Sequence, residues 1–175
     1  GRSRTAEEFR MIKRPLLVNA FDRRTSARNH PNLIMVSSSV QGEGKTFTSL
    51  NLAISITMEL DSTVLLVDAD VAKPGLSRVL SITEKPGLIE RLADESTDLE
   101  QYLLRTDIPK LTVLPAGKRH QRSTELLASG AMRRLLEEVA TLAGAKTVEI
   151  ADGVVGGPGN TAGKERAVVG RGAVI

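Results

Sequence analysis

The sequence predicts an α/β protein built on a doubly wound, mostly parallel sheet. Three observations carry that expectation. Leu33–Val36 (LIMV) is a short, continuous apolar run rather than an alternating one, and Thr63–Val67 (TVLLV) and Leu111–Leu114 (LTVL) are short runs of mainly apolar residues. That is the pattern of strands covered on both faces. Helical periodicity follows the first run, and a clear amphipathic helix, Ala131–Leu142, follows the third. Finally, the three runs open into SSSVQGEG, DAD and PAG. Loops at the carboxyl ends of strands are where open α/β sheets hold ligands.

The first loop is the most informative. Leu33–Leu60 reads as strand, phosphate loop and helix. Gly42 and Gly44 let backbone N–H groups converge on phosphate oxygens, and the helix that follows offers its positive N-terminus to the same anion. Lys45 supplies a mobile charge for the β/γ-phosphates, and the Thr46 hydroxyl is a ligand for Mg²⁺. With the neighbouring Glu43 and Phe47, the candidate nucleotide-binding set is Gly42, Glu43, Gly44, Lys45, Thr46 and Phe47. The strict signature Gly-x-x-x-x-Gly-Lys-Ser/Thr is not met, because Ser39 stands where its first glycine belongs. The plain alternative is a Gly-rich turn capping a helix. In the helix, Leu50, Leu52, Ala53, Ile54, Ile56, Met58 and Leu60 cover most of the circumference, which predicts deep burial.

The second run enters Asp68-Ala69-Asp70. Two carboxylates at i and i+2, at the carboxyl end of a central strand, offer oxygen ligands suited to Mg²⁺. A polar strand terminus or helix cap is the competing reading. Beside the phosphate loop, Lys45, Asp68 and Asp70 become the candidate catalytic residues, and Thr46, Asp68 and Asp70 the candidate metal ligands.

Elsewhere, Thr5–Arg14 reads as a helix, with Glu7 and Glu8 in its first turn and Lys13 and Arg14 in its last. Glu7, Arg10 and Lys13 form a stripe at i, i+3, i+6, either a solvated face or an inter-subunit contact. Pro15 ends this helix or begins the next, and Leu16–Phe21 is apolar and helix-compatible. Leu76–Leu80 and Leu88–Leu92 read as short helices after the Lys73-Pro74-Gly75 and Lys85-Pro86-Gly87 turns. Gln101–Arg105 is ambiguous between strand and helix. Lys118–Arg122 is a basic loop on the functional edge. His30, in a loop beside Pro31, is not expected to bind metal, and His120 reads as solvated. Residues 144–175 hold eight of the fifteen glycines and read as flexible chain, with one weak apolar segment at Thr147–Ala151. The expected organisation is an N-terminal helical segment (1–32), a nucleotide-binding core (33–143) and a Gly-rich tail (144–175).

Composition narrows the function classes. The chain has 175 residues, 41% hydrophobic and 26% charged, the profile of one soluble globular domain. Aromatic residues make up 2%, so the core is built from aliphatic side chains. With no cysteine, disulfides and thiolate metal sites are excluded. No apolar run reaches membrane-span length, and the N-terminus lacks the apolar core of a signal peptide. The net charge of +3 is concentrated, since residues 1–28 carry eight Lys/Arg against three Asp/Glu. No aromatics interleave with these bases, so nucleic-acid binding is not expected.

With both loops in hand, the chain resembles the bacterial tyrosine kinases of capsule and exopolysaccharide export, a branch of the deviant Walker A P-loop NTPases related to division-site and partition ATPases. The resemblance covers residues 5–142. SSSVQGEGKT is similar to the family's Walker A, LLVDADVAKP to its Walker A′, and LTVLPAG followed by ELLAS and MRRLLEE to its later segments. Glu7-x-x-Arg10-x-x-Lys13 resembles the family's oligomerisation motif, and EEFRMIKRPLLVNAF is similar to the exosortase-associated branch. The resemblance implies ATP and Mg²⁺ as cofactors and an autokinase, with Asp68 helping to deprotonate the acceptor tyrosine. It also implies a homo-oligomeric ring through Glu7, Arg10 and Lys13. A membrane chain-length-regulator protein is the implied partner, holding a cytoplasmic kinase at the inner membrane. Two features depart from the family. TVEIADGVVGGPG stands where a Walker B strand is expected, leaving Asp152 as an imperfect candidate and the sheet in danger of lacking a central member. The C-terminal tyrosine cluster is missing, so the tail reads as an out-of-frame or artificial end. A partition-type ATPase switch and an inactive ATP-binding assembly module remain the alternatives.

Overall fold

The computed structural model describes residues 4–21, 32–142, 147–152 and 173–174. His30, nearly all of the polar 22–32 segment and most of the Gly-rich tail lie outside the described residues.

Helix α1 (Arg4–Phe21) is one 18-residue helix with Pro15 inside it, so Pro15 neither ends nor begins a helix. Proline removes the N–H that would bond the carbonyl four residues back. Here that carbonyl belongs to Met11, and both residues are exposed, so water can take the missing donor's place. The opposite face buries Phe9, Leu16 and Ala20. It packs against helix α2 (Lys45–Thr57), so the N-terminal segment is continuous with the core.

Helix α2 stops at Thr57, short of the expected Leu60. Met58 and Leu60 are 67% and 93% exposed. Two lysines meet the carbonyls at this end: Lys13 Nζ donates to Ser55 O at 2.7 Å, and Lys110 Nζ donates to Glu59 O. Cationic donors at a helix C-terminus satisfy orphan carbonyls and oppose the negative end of the macrodipole.

The sheet contains β1 (Leu33–Val36), β2 (Thr63–Asp68), β3 (Leu104–Arg105), β4 (Leu111–Leu114), β5 (Thr147–Asp152) and β6 (Ala173–Val174), in the order β3-β4-β2-β5-β1-β6. Among the described residues only the β3–β4 pairing is antiparallel. The feared gap is absent: β5 lies between β2 and β1, parallel to both, with Asp152 in register with Asp68 on one side and Val36 on the other. The weak apolar segment expected at Thr147–Ala151 is therefore a central strand. The ambiguous 101–105 stretch contains both elements, the end of a 3-10 turn (Leu99–Tyr102) and then β3.

Both faces of the sheet are covered, which is why β2 reads as an unbroken apolar run. Val64 and Leu66 join Phe9, Ile34, Leu52 and Ile56 in one cluster beneath α1 and α2. Leu65 and Val67 join the opposite cluster with Leu88 and Leu92 of α4 (Leu88–Ala93) and Leu135 and Val139 of α6 (Gly130–Leu142). Burying each such side chain contributes about 1.5–3 kcal/mol. Helices α3 (Gly75–Val79) and α5 (Ser123–Leu127) are single short turns near the carboxyl edge. Among the described residues, no helix is long and apolar enough to cross a membrane.

Candidate nucleotide site at the carboxyl edge of the sheet

Parallel β1 and β2 deliver their following loops to the same edge. In the first loop, Gly42 and Gly44 adopt φ of +92° and +91°, a left-handed conformation that side chains disfavour. Gly44 caps α2 and accepts the Thr48 N–H at 2.8 Å. Glu43 folds back over the loop, its Oε2 accepting the N–H groups of Ser39 and Val40 at 3.0 and 3.1 Å. Its side chain therefore braces the loop. The strict motif's first glycine is dispensable because Ser39 does not stand at a positive φ.

The second loop meets the first through two cations. Lys45 Nζ donates to Asp70 Oδ2 at 3.1 Å, with both side chains 11% exposed. Lys73 Nζ donates to Gln41 Oε1 at 2.7 Å, while its N–H bonds Asp70 Oδ1 at 3.1 Å. The two loops bound an open cleft of about 800 Å³ whose wall includes Gly44, Lys45, Thr46, Phe47 and Asp70, with Arg78 and Thr124 farther along. That size suits a nucleotide-scale ligand. Phe47, 58% exposed, also touches Phe9 of α1, with ring centroids 6.1 Å apart.

The two aspartates separate. Asp70 lines the cleft, but Asp68 does not. Asp68 is fully buried, and its Oδ2 accepts both the N–H and the hydroxyl of Ser77 at 2.7 Å, while its Oδ1 accepts the Asp70 N–H at 3.3 Å. Asp68, expected beside Asp70 as a metal and catalytic carboxylate, therefore stands behind the cleft wall rather than on it. Alternation along β2 turns it inward, towards α3.

The stripe on α1 also separates. Glu7 is exposed and Arg10 partly so, but Lys13 is 4% exposed and pairs with Glu59 at 2.7 Å. Three-residue steps fall short of a full helical turn, so Glu7 and Lys13 diverge by about 120° around the axis. Lys13 is thus turned onto α2 within its own chain and is not presented for a ring contact.

Gly75, at the start of α3, carries no chemistry that marks it in the sequence. A Cβ there would lie 2.5 Å from Thr46 Oγ1, so only glycine lets α3 approach the hydroxyl this closely. Ser77 is likewise unmarked. Glu90 receives the N–H groups of Gly87 and Lys118, both at 2.8 Å, and thereby braces the turn after β4. Glu90 does carry a local signal, since it stands at the third position of α4 and accepts the Gly87 N–H as a helix cap. Its reach to Lys118 and that of Ser77 to Ala116, however, span 28 and 39 residues.

Mg²⁺ fits this donor set. Thr46 and Asp70 line one cleft, hard oxygen donors with room for phosphate oxygens and water. Any side chain at position 75 would crowd the Thr46 hydroxyl. Among the described residues no group of three His, Cys, Asp or Glu could hold a metal by itself.

No protein-family model matches the chain. It is 37% identical over 116 residues to the tyrosine-protein kinase ptk of Acinetobacter johnsonii, covering 66% of this chain and 15% of that protein. It is 36% identical over 115 residues to the succinoglycan biosynthesis transport protein ExoP of Rhizobium meliloti, 63% of this chain and 14% of ExoP. The chain therefore spans about one seventh of these relatives. Among solved structures, the BceF tyrosine kinase domain aligns with a TM-score of 0.70 at 27% identity, over 86% of this chain and 55% of that one. Cobyrinic acid a,c-diamide synthase from Mycobacterium smegmatis, solved with a bound ATP analog and magnesium, aligns with a TM-score of 0.55 at 26% identity, over 70% of this chain and 50% of that one.

Proposed function

We propose that this chain, a homologue of the bacterial tyrosine-protein kinases with their P-loop NTPase fold, is the nucleotide-binding core of an ATP-dependent protein-tyrosine autokinase serving exopolysaccharide or capsule export. The observation that carries this reading is the Lys45–Asp70 pair, which joins the two loops at the mouth of the cleft. Phosphoryl transfer asks chiefly for positioning and charge neutralisation. The N–H groups around Gly42 and Gly44 hold phosphate oxygens. Lys45 exchanges Asp70 for the β/γ-phosphates, and the released Asp70 joins Thr46 as an oxygen donor. Mg²⁺, when bound, neutralises the charge that builds on the transferring phosphoryl group.

The only tyrosine, Tyr102, packs beside the second core cluster, so in this reading it is not the acceptor. The core of the unit is 33–143 completed by β5, with α1 as the oligomerisation segment through Glu7 and Arg10. Its partners are further copies of the chain and a membrane-bound chain-length regulator. A partition-type ATPase switch is the second reading. The burial of Asp68 favours it, because the carboxylate assigned to deprotonate an acceptor tyrosine does not line the cleft.

Incubating the full chain with γ-labelled ATP, Mg²⁺ and a glutamate–tyrosine copolymer separates the readings. Labelled phosphotyrosine supports the kinase, and free phosphate alone supports the switch. Tight ATP binding without either product identifies an inactive assembly module. Lys45→Ala should abolish nucleotide binding, and unchanged affinity in that variant overturns the site assignment.

A further inference from the structure

Ser77 is the residue of this edge that the proposed chemistry leaves without a role. It is 1% exposed, on α3, beneath the cleft. Its hydroxyl donates to Asp68 Oδ2 at 2.7 Å and accepts the Ala116 N–H at 3.2 Å. On the other side of the same carboxylate, Asp68 Oδ1 accepts the Asp70 N–H at 3.3 Å, and Asp70 Oδ2 accepts from Lys45 at 3.1 Å. These bonds form one connected line from the turn after β4, through α3 and the end of β2, to the lysine of the phosphate loop.

We propose that Ser77 is a positioning residue of the nucleotide site, orienting the buried Asp68 carboxylate so that Asp68 aims Asp70 into the cleft as an oxygen donor for the nucleotide-bound divalent cation. The inference rests on the reading of Lys45, Thr46 and Asp70 as an ATP·Mg site and assigns a support that the sequence did not indicate. A carboxylate with two acceptor oxygens is free to rotate about χ2 unless both are engaged. Ser77 engages one oxygen twice, through its N–H and its hydroxyl, and so fixes the other towards the Asp70 amide. The same hydroxyl anchors Ala116, whose turn carries Lys118 and Arg119. The floor of the cleft and the basic loop beside it therefore share one anchor.

The effect belongs to metal binding rather than to phosphate binding. The N–H groups of Gly42, Gly44 and Lys45 do not pass through Ser77, whereas the backbone of Asp70 is held through Asp68 and Ser77, behind a carboxylate that Lys45 and the Lys73 N–H meet from the cleft side. Loss of outer hydrogen-bond partners behind a metal ligand typically costs 10–100-fold in metal affinity.

The test measures binding of a fluorescent ATP analogue to the full chain, first in EDTA and then across a Mg²⁺ titration. Ser77→Ala should leave the EDTA affinity within about twofold of wild type and weaken the Mg²⁺ midpoint about tenfold or more. Hydrogen exchange should accelerate at the amides of Asp70 and Ala116, while amides of α6 stay protected. Asp68→Asn, which keeps the shape of the side chain, provides a second route should Ser77→Ala fail to fold, and should weaken the Mg²⁺ midpoint in the same direction. An unchanged midpoint in either folded variant overturns the inference while leaving the nucleotide site standing. An equal loss with and without Mg²⁺ also overturns it, assigning Ser77 to general support of the fold. Failure of the wild-type chain to bind the analogue at all overturns the underlying site and the inference together.

Discussion

Asp68 and Asp70 are two residues apart in one motif and occupy different chemical worlds. Asp68 is sealed in the protein with Ser77 and a backbone N–H as partners, whereas Asp70 stands at an open cleft with a lysine across from it. Glu7 and Lys13 repeat the contrast on α1, where one end of a regular stripe is exposed and the other is nearly inaccessible. In both cases, spacing indicated shared chemistry and the neighbouring element decided otherwise. A short periodic motif specifies candidates, and burial assigns their work.

The comparison can be broken from the Asp68 side with the largest effect. Asp68→Ala removes a fully buried carboxylate that accepts from the Ser77 N–H, the Ser77 hydroxyl and the Asp70 N–H, and should destabilise the fold by about 3 kcal/mol or more, read by urea unfolding. Asp70→Asn, which keeps the side chain's shape beside Lys45 at the cleft, should cost less stability than Asp68→Ala but weaken Mg²⁺-dependent nucleotide binding at least about tenfold. Similar unfolding midpoints for the two variants would erase the distinction. Gly75→Ala lies between them. Its methyl group would strike Thr46 Oγ1, so a stability loss of about 1–3 kcal/mol is expected, together with weaker metal-dependent binding. A Gly75→Ala protein with wild-type Mg²⁺ response would show that the Thr46 hydroxyl is not used.

On α1, Lys13→Met keeps the alkyl stem and deletes the ammonium that meets Ser55 O and Glu59. A loss of about 1.5–3 kcal/mol in unfolding free energy is expected, with no change in oligomeric state by light scattering. If the chain dissociates while its stability is unchanged, Lys13 serves a neighbouring subunit after all. The smallest effect belongs to an exposed pair, Arg134 and Glu95, joined by two hydrogen bonds of 2.6 Å. Arg134 holds the Glu95 carboxyl below its ordinary value, chiefly through that hydrogen bonding. A lowered folded-state value means that the pair's contribution is present at neutral pH and is lost as pH falls through the Glu95 titration. Arg134→Ala should return Glu95 towards the ordinary carboxylate range in an NMR titration, with little change in unfolding midpoint. No movement of the Glu95 titration would show that the pair is not populated in solution.

Much of the fold is legible in the amino-acid sequence. β1 and β2 announce themselves because each carries an uninterrupted aliphatic run, β4 because only Thr112 breaks its own, and the phosphate loop because its glycines and lysine have no simpler use. β5 is faint because Glu149 divides Val148 from Ile150 in the sequence, removing the run that marks the other buried strands. Pro15 misleads because the cost of an interior proline depends on which side of the helix loses the bond, and sequence alone does not orient the helix. The end of α2 is overrun because Met58 and Leu60 continue an apolar rhythm, while the lysines that meet its last carbonyls are Lys13 and Lys110. In the site, the phosphate-loop set is legible locally. Ser77 and Gly75 are not, since their significance lies in atoms brought near by tertiary packing, and Glu90 is legible only as a cap of α4, not as the acceptor of the Lys118 N–H.

The placement of β5 also has a consequence in time. β1 and β2 carry the two loops of the cleft, yet neither hydrogen-bonds the other, and both are joined through a strand made much later. A ribosome adds on the order of 5–20 residues per second, so the lysine and aspartate that face one another across the finished cleft wait several seconds for the strand that aligns them. During that wait, the facing edges of β1 and β2 lie open to each other and to other chains. Residues 147–152 therefore act as the closing stitch of biosynthesis, and a nascent chain halted before them would carry the motifs of the site without its geometry.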